Sequence, residues 1–374
     1  MSDVVMHNLY ILSIAMSITY ILILLGYWLL SKRIPRQSNI EHIDWPKISI
    51  LIAARNEADN IIACLNSIEA LDYPKAQLEV IIGNDQSQDE TGQLIEAFIG
   101  NKTGYKVIHL TGQEYPQTKG KARVLACLAD HAQGDYFLIT DADVMVSKAW
   151  AKALTSKLHF ESLDMVGGIT CIQTQRFFLQ FQHTDWLYFM GIIHSFGLLG
   201  RPLTVVGNNM GIRRTCYEAC GGYGNIPFSI TEDYALYKTV KDNGYKVGLI
   251  FHENALVFTH PIDQLKGLLK QRKRWLTGGW DLPFYYHCMI VIFGAWYFTF
   301  PIILFYNWPL ALGLFLTKNL LQIVQFKVLY KKLDQTTSHW AQILLYDFYL
   351  GVAIPLTALY FLLPFKNQWK GRQY

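Results

Sequence analysis

Charge is scarce in this chain of 374 residues: Asp, Glu, Lys and Arg make up 17% of it, against about 25% in an ordinary soluble domain. With 51% apolar residues, the shortfall excludes a disordered chain and a basic nucleic-acid module, and implies that part of the chain never faces water. A net charge of only +4 points to no polyanionic partner, so nucleic acid is not expected. Closely paired cysteines are missing as well. Cys64, Cys127, Cys171, Cys216, Cys220 and Cys288 form no C-x-x-C, which leaves neither a disulfide framework nor a zinc ribbon; only Cys216 and Cys220, four apart, can share a helix face.

Charge is absent altogether from three long stretches. Residues 9–30 are 22 uncharged positions, and at about 1.5 Å per residue a helix of that length spans a bilayer core. No small-residue cleavage site follows; Ser31-Lys32-Arg33-Ile34-Pro35-Arg36 does, while Asp3 is the only charge before it. The positive-inside rule then puts the N-terminus outside and everything after Arg36 in the cytoplasm. Residues 282–317 are 36 positions without Asp, Glu, Lys or Arg, too many for one span. Asn307-Trp308-Pro309 predicts a turn there, with helices near 285–306 and 309–326 and Lys318 in or near the second. A last apolar run covers 348–365 and starts a few residues earlier. The expectation is an integral membrane protein with four spans, one before and three after a polar middle. That count leaves Lys366, Lys370 and Arg372 outside, against the charge rule, so one C-terminal segment also reads as re-entrant or interfacial.

Residues 45–280 have ordinary polarity and read as an α/β domain. Residues 47–54, 78–83, 105–110 and 136–140 read as strands; helical periodicity over 56–71 and 121–130 separates them, and Ser87-Gln88-Asp89-Glu90 has the form of a capping box that should open another helix. Strands alternating with helices predict a mostly parallel sheet, in which ligands sit beyond the carboxyl ends of the strands. The notable acids fall there: Asp85 after the second strand, Asp141 and Asp143 after the fourth.

Asp141-Ala142-Asp143 offers two carboxylates at a bend, an arrangement that can hold a hard divalent cation and through it a diphosphate. Thr231-Glu232-Asp233 is a second acidic point, which alone reads as a helix N-cap with an acidic first turn. In Gln271-Arg272-Lys273-Arg274-Trp275, positions 271, 274 and 275 share a helix face, and an arginine can fork onto a phosphate. The same stretch also reads as a basic interfacial helix, with Ile262, Leu265, Leu268, Leu269 and Leu276 as its apolar face and Lys266, Lys270, Arg272 and Lys273 available for anionic lipid heads. Lys119-Gly120-Lys121 opens a helix and can meet a phosphate.

Taken in order, Asp85, Asp141-x-Asp143, Thr231-Glu232-Asp233 and Gln271-x-x-Arg274-Trp275 resemble the signature of the inverting family 2 glycosyltransferases, enzymes built on a GT-A nucleotide-sugar-binding domain. The resemblance covers about residues 47–280 and takes in Ala54-Arg55-Asn56-Glu57, Gly120-Lys121-Ala122, Gly207-Asn208, Arg213-Arg214 and Gly221-Gly222-Tyr223. Q-x-x-R-W is shared by processive polysaccharide synthases and by ceramide-glucosyltransferase-like lipid enzymes; the frame of membrane helices is similar to the lipid enzymes. Two positions depart from the pattern. Asn84-Asp85 keeps one acid of the usual pair, and His260, before Pro261 where relatives carry an acid, reads as a core histidine.

The resemblance implies a GT-A domain over 45–261, an amphipathic interfacial helix over 262–281, an N-terminal anchor over 1–36 and C-terminal membrane helices over 282–374. It implies that Asp85, with Asn56 and Glu57 nearby, contacts the nucleotide base, and that Lys121 and Asp141 also serve the donor. Asp143, with Asp141, would ligate Mg²⁺ or Mn²⁺; Asp233, with Glu232 beside it, would be the general base; Gln271, Arg274 and Trp275 would meet acceptor and diphosphate. The helix around Trp186, residues 177–199, reads equally as an acceptor guide or as core packing. The expected activity is transfer of a sugar from a nucleotide-sugar donor to a lipid-linked or hydrophobic acceptor at a membrane, with the catalytic domain cytoplasmic (at the inner membrane of a bacterium). A processive polysaccharide synthase is the alternative. A degenerate, non-catalytic relative is disfavoured, since the acidic points and Arg274 are all present.

Overall fold

The computed structural model describes residues 2–35, 44–334, 340–365, 368–369 and 372–373. Its elements run α1 (Ser2–Lys32), β1 (Ile48–Ala54), α2 (Ile61–Glu69), β2 (Leu78–Asn84), α3 (Thr91–Ile99), β3 (Tyr105–His109), α4 (Gly120–His131), β4 (Tyr136–Asp141), β5 (Val144–Val146), α5 (Trp150–His159), β6 (Met165–Gly167), β7 (Ile169–Ile172) and α6 (Gln180–Leu198). They continue β8 (Asn209–Arg213), α7 (Arg214–Ala219), α8 (Gly222–Asn225), α9 (Glu232–Asp242), β9 (Val247–Leu249), β10 (Leu256–Thr259), α10 (Leu265–Gly278), α11 (Phe284–Tyr306), α12 (Trp308–Lys332) and α13 (Trp340–Leu362). The chain forms two compact units. One comprises Met1–Ile34, Gln175–Leu198 and Ile262–Lys366; the other comprises Pro35–Thr174, Leu199–Pro261 and Asn367–Tyr374.

The second unit is a mixed, mostly parallel sheet in the order β3-β2-β1-β4-β8-β6-β9. β1, β2, β3 and β4 run parallel, and β8 enters antiparallel between β4 and β6. β1, β2 and β4 are buried along their lengths, which is why they read as continuous apolar runs rather than alternating ones. Ile48, Ile50, Ile52, Val80 and Ile82 join Ile61, Leu65, Ile68, Ile95, Trp150 and Leu154 in one core, each such side chain contributing about 1.5–3 kcal/mol by leaving water. Register sets up the site. Ala54 lies opposite Asn84 and Ala53 opposite Asp141, so the chain leaves β1, β2 and β4 along one edge. Antiparallel β8 starts at that edge, with Asn209 opposite Thr140. β5, β10 and β7 form a separate three-stranded sheet.

Several local expectations fail for identifiable reasons. The helix expected from residue 56 begins at Ile61, because Asn56 takes a left-handed φ of 51° in the loop leaving β1. The capping box at Ser87 does not form. α3 starts at Thr91, the Ser87 hydroxyl is taken by the Asn56 amide at 3.0 Å, and Asp89 accepts from the Thr91 amide at 3.1 Å instead. His260 is exposed rather than in the core, since β10 ends at Thr259 and the chain leaves the sheet there.

Among the described residues, the first unit has four helices long and apolar enough to cross a membrane: Val4–Lys32 of α1, and α11, α12 and α13. α6 packs among them rather than lying exposed, with Leu187, Tyr188, Met190 and Ile193 buried and the Tyr27 hydroxyl of α1 donating to the Tyr188 carbonyl at 3.1 Å. α13 begins at Trp340, eight positions before the apolar run read from sequence, and so contains Asp347. That carboxylate is buried against Lys318 of α12, whose ammonium also donates to the Gln322 side chain at 3.0 Å. The Tyr297 hydroxyl of α11 donates to Asp347 at 2.8 Å, and the rings of Tyr20, Trp296 and Tyr297 lie 5.6, 5.4 and 5.6 Å from the Lys318 nitrogen. A paired charge can sit inside such a bundle, whereas the sequence scan stops at it. Arg36, Lys366 and Lys370, which entered the charge-rule reading, lie outside the described residues, as does the Arg372 side chain.

Candidate active site

Three loops and one helix start meet at the shared strand edge of the sheet unit. Past β1, the Gln88 amide donates to the Asn56 side chain at 2.8 Å and the Glu57 amide donates to the Thr91 hydroxyl at 2.8 Å. Buried Glu57 accepts in turn from Asn60 at 3.0 Å. Asn56 and Glu57 are thereby stitched to the loop that follows β2. In that loop Asp85 is fully buried and forms a 2.7 Å ion pair with Arg123 of α4, whose guanidinium also donates to the Gly112 carbonyl at 2.9 Å. Sequence reading missed Arg123. The available signal was its place one turn into α4, which the parallel topology carries back to the β2 edge.

The acids at the end of β4 and in the first turn of α9 gather around one cation. The Lys121 ammonium lies 2.5 Å from Asp141 and 3.2 Å from Glu232, and donates to the Gly207 carbonyl at 3.0 Å. The Gly207 amide donates to Asp233 at 2.8 Å, and the Tyr234 amide donates to the other Asp233 oxygen at 2.8 Å. Glycine is needed at 207, since a Cβ there would stand 2.9 Å from the Asp233 Cβ and 3.2 Å from the Lys121 ammonium. Asp143 occupies the turn between β4 and β5. Burial alone would lower the Lys121 pKa, but Asp141 and Glu232 raise it. Burial raises the Asp141 carboxyl, Lys121 opposes that, and Asp143 adds to it. Burial, and then Glu232, push Asp233 up to about 6, while Lys121 and the two backbone amides hold it from going higher. A carboxylate poised there can take a proton near neutral pH.

Four acids against one lysine leave a negative field around Asp141 and Asp143. Among the described residues no group of three or more His, Cys, Asp or Glu is close enough to hold an ion alone. Two carboxylates at a bend fit Mg²⁺ or Mn²⁺ of the kind whose remaining ligands come from water and substrate phosphates. Arg213 and Arg214 do not join the cluster. Arg213 is 3.6 Å from Asp164 and donates to the Tyr136 hydroxyl at 2.9 Å, while Arg214 pairs with Glu218 at 2.7 Å. Gln271, Arg274 and Trp275 belong to the other unit, on α10, where the Trp275 ring lies 4.9 Å from that of Trp186.

The model of glycosyl transferase family 2 matches residues 49–221, and that of glycosyl transferase family group 2 matches residues 136–364. The probable glycosyltransferase YdaM of Bacillus subtilis (strain 168) is 27% identical over 297 residues, covering 75% of this chain and 68% of its own length. The beta-monoglucosyldiacylglycerol synthase of Trichormus variabilis is 26% identical over 255 residues, 63% of this chain and 51% of that protein. The poly-beta-1,6-N-acetyl-D-glucosamine synthase of Staphylococcus aureus (strain MSSA476) is 28% identical over 237 residues, 63% of this chain and 55% of that protein. The chain thus spans about half the length of these two synthases. Among solved structures, the mannosyltransferase PcManGT from Pyrobaculum calidifontis, in complex with GDP-Man and Mn²⁺, superposes with a TM-score of 0.60 at 17% identity, covering 95% of this chain and 99% of that one. That likeness establishes the GT-A fold. With more than half of the sequence inside one family model and an overlapping model carrying the match back to residue 49, the chain belongs to glycosyltransferase family 2.

Proposed function

We propose that the chain is a membrane-bound, inverting glycosyltransferase that moves one sugar, or very few, from a nucleotide-sugar to a lipid-linked or hydrophobic acceptor. The observation that carries this reading is the convergence of Asp141, Glu232 and Asp233 on Lys121 at the strand edge where GT-A domains bind their donors. Asp233 takes the proton from an acceptor hydroxyl as that oxygen bonds to the anomeric carbon. The sugar–phosphate bond breaks on the opposite face, and its electron pair leaves with the nucleoside diphosphate. Lys121 offsets charge among the acids, Asn56, Glu57 and Asp85 hold the base side of the donor, and Arg274 adds positive charge for the leaving group, with Gln271 and Trp275 beside it on α10. Asp143 with Asp141 would hold Mg²⁺ or Mn²⁺, which when bound counters the charge of the departing diphosphate.

The lipid acceptor is supported by the named diacylglycerol-glycolipid synthase relative and by helix count. A growing polar chain needs a lined channel through lipid, and the four candidate spans among the described residues are few for one, whereas a lipid acceptor arrives sideways along the membrane surface. The poly-N-acetylglucosamine synthase relative supports the second reading, a processive polymer synthase. Lys32 and Arg33 flank the first span on one side, which favours a cytoplasmic catalytic unit. The test supplies labelled donors to the purified protein in lipid, with and without chelator, and sizes the product. A short glycolipid of discrete mass, lost on chelation, is the expected result. Long water-soluble polymer would overturn the acceptor assignment, and full activity in excess chelator the metal.

A further inference from the structure

Two basic residues of the Q-x-x-R-W run, Arg272 and Lys273, read from sequence as reaching for lipid head groups, turn inward instead because α6 and α13 offer them partners. Lys273 is 9% exposed and donates to the Leu363 carbonyl just past the end of α13. The Arg272 guanidinium pairs with the Asp185 carboxylate of α6 and donates to the Tyr349 hydroxyl of α13 at 2.7 Å. The other Asp185 oxygen accepts from the Tyr346 hydroxyl of α13 at 2.8 Å. One residue further along α6, the Trp186 ring contacts Trp275 at 4.9 Å. Phe181, one turn before Asp185 on α6, stacks on Tyr349 with centroids 4.9 Å apart and planes 8° from parallel.

We propose that Asp185 is a positioning residue for the transfer reaction: through Arg272 it fixes the rotation of α10, and so the direction in which Gln271, Arg274 and Trp275 point. Arg272 and Trp275 are three apart and lie on neighbouring positions of one helix, so a grip on both by the consecutive residues Asp185 and Trp186 defines the helix about its own axis. An arginine is suited to this, since its fork fixes direction as well as distance. Asp185 touches no substrate in this account. Without it a largely buried guanidinium loses its counter-charge, and α10 must turn or lift to rehydrate it. The inference rests on the reading that Arg274 and Trp275 meet the substrates.

The test compares Asp185→Asn, Asp185→Glu, Tyr346→Phe and the exchanged pair Asp185→Arg with Arg272→Asp against Arg274→Ala and Trp275→Ala, all as full-length protein in lipid. Asp185→Asn should lower kcat on the order of 10²-fold, the scale of a misplacement of about 1 Å, with donor KM within about twofold. Asp185→Glu and the exchanged pair should recover part of the loss, and Tyr346→Phe should give a smaller decrease of the same kind. A merely structural role would lower the amount of folded protein while leaving kcat per folded molecule unchanged, and that outcome overturns the proposal. So does full activity in Asp185→Asn while Arg274→Ala is inactive. If Arg274→Ala and Trp275→Ala both keep full transfer, the role assigned to the motif fails instead, whatever Asp185 does. Should Asp185→Asn not fold, Tyr346→Phe carries the same test, and an unchanged kcat in that variant overturns the proposal.

Discussion

Asp233 accepts two backbone amides and still titrates near 6, because burial and Glu232 outweigh those donors and Lys121. As a base it works only when ionised, so transfer should fall about tenfold per pH unit below about 6, measured as kcat/KM against pH. Asp233→Asn should remove about 10²–10⁴-fold of the rate and leave donor binding nearly unchanged. The stability sign is opposite. A carboxyl whose folded pKa exceeds its unfolded value binds its proton better in the folded chain, so the folded state loses stability as pH rises from about 4 through 6, and the penalty is fully present above that. The inactive Asp233→Asn protein should therefore melt higher than wild type at pH 7.5, and a lower midpoint would count against the buried, strained carboxylate. Lys121→Met removes the charge that restrains both Asp141 and Asp233. It should raise donor KM and move the acidic limb of the pH profile upward; a limb that stays in place would show that Lys121 does not act on the base. At this scale the acids were legible in sequence because DxD and TED are local patterns. Lys121 was picked out as a donor residue but not as the partner of Asp141 and Glu232, and Arg123 was missed as the partner of Asp85, since both pairings arise only from the strand order.

Element by element, legibility follows the length of the apolar run. β1, β2 and β4 announced themselves as apolar runs, whereas β5, β7 and β10, three or four residues each, have too few positions for any period to appear. Antiparallel β8 went unread for the same reason: five residues, Asn209–Arg213, with a glycine at the centre. The capping box misled because Ser87 is more useful to the neighbouring loop than to its own helix. Gly134 sits hard against the backbone of β1. Its amide donates to the Ser49 hydroxyl at 2.8 Å, and a Cβ there would meet the Ser49 nitrogen at 2.5 Å and the Ile48 carbonyl carbon at 2.6 Å, backbone that cannot give way. Gly134→Ala should cost about 1–3 kcal/mol by forcing β1 and the entry to β4 apart, visible as a lowered melting midpoint of the purified protein. Unchanged thermal stability would contradict that packing.

For the molecule as a whole, the two units differ in what they expose. The sheet unit is held by an ordinary apolar core; the helical unit exposes many large apolar side chains and buries the Lys318–Asp347 pair. Lys318→Met alone, or Asp347→Leu alone, should destabilise the purified protein by about 3–5 kcal/mol, because each strands one buried charge, while the double variant should be close to wild type. Additive losses in the double variant would mean that the two residues do not act as a pair. The same pair bears on how the chain is made. Emerging by itself from the insertion machinery, α12 would expose a lone ammonium to hydrocarbon, at about 2.5–3.5 kcal/mol, and α13 by itself would expose a lone carboxylate. Neither segment is a good passenger alone. Were α12 and α13 to cross a bilayer, as their length and composition allow, Lys318 would gain its counter-charge only once Asp347 had been made, so the two helices should insert as one hairpin, and ribosomes stalled between them should leave α12 waiting at the channel.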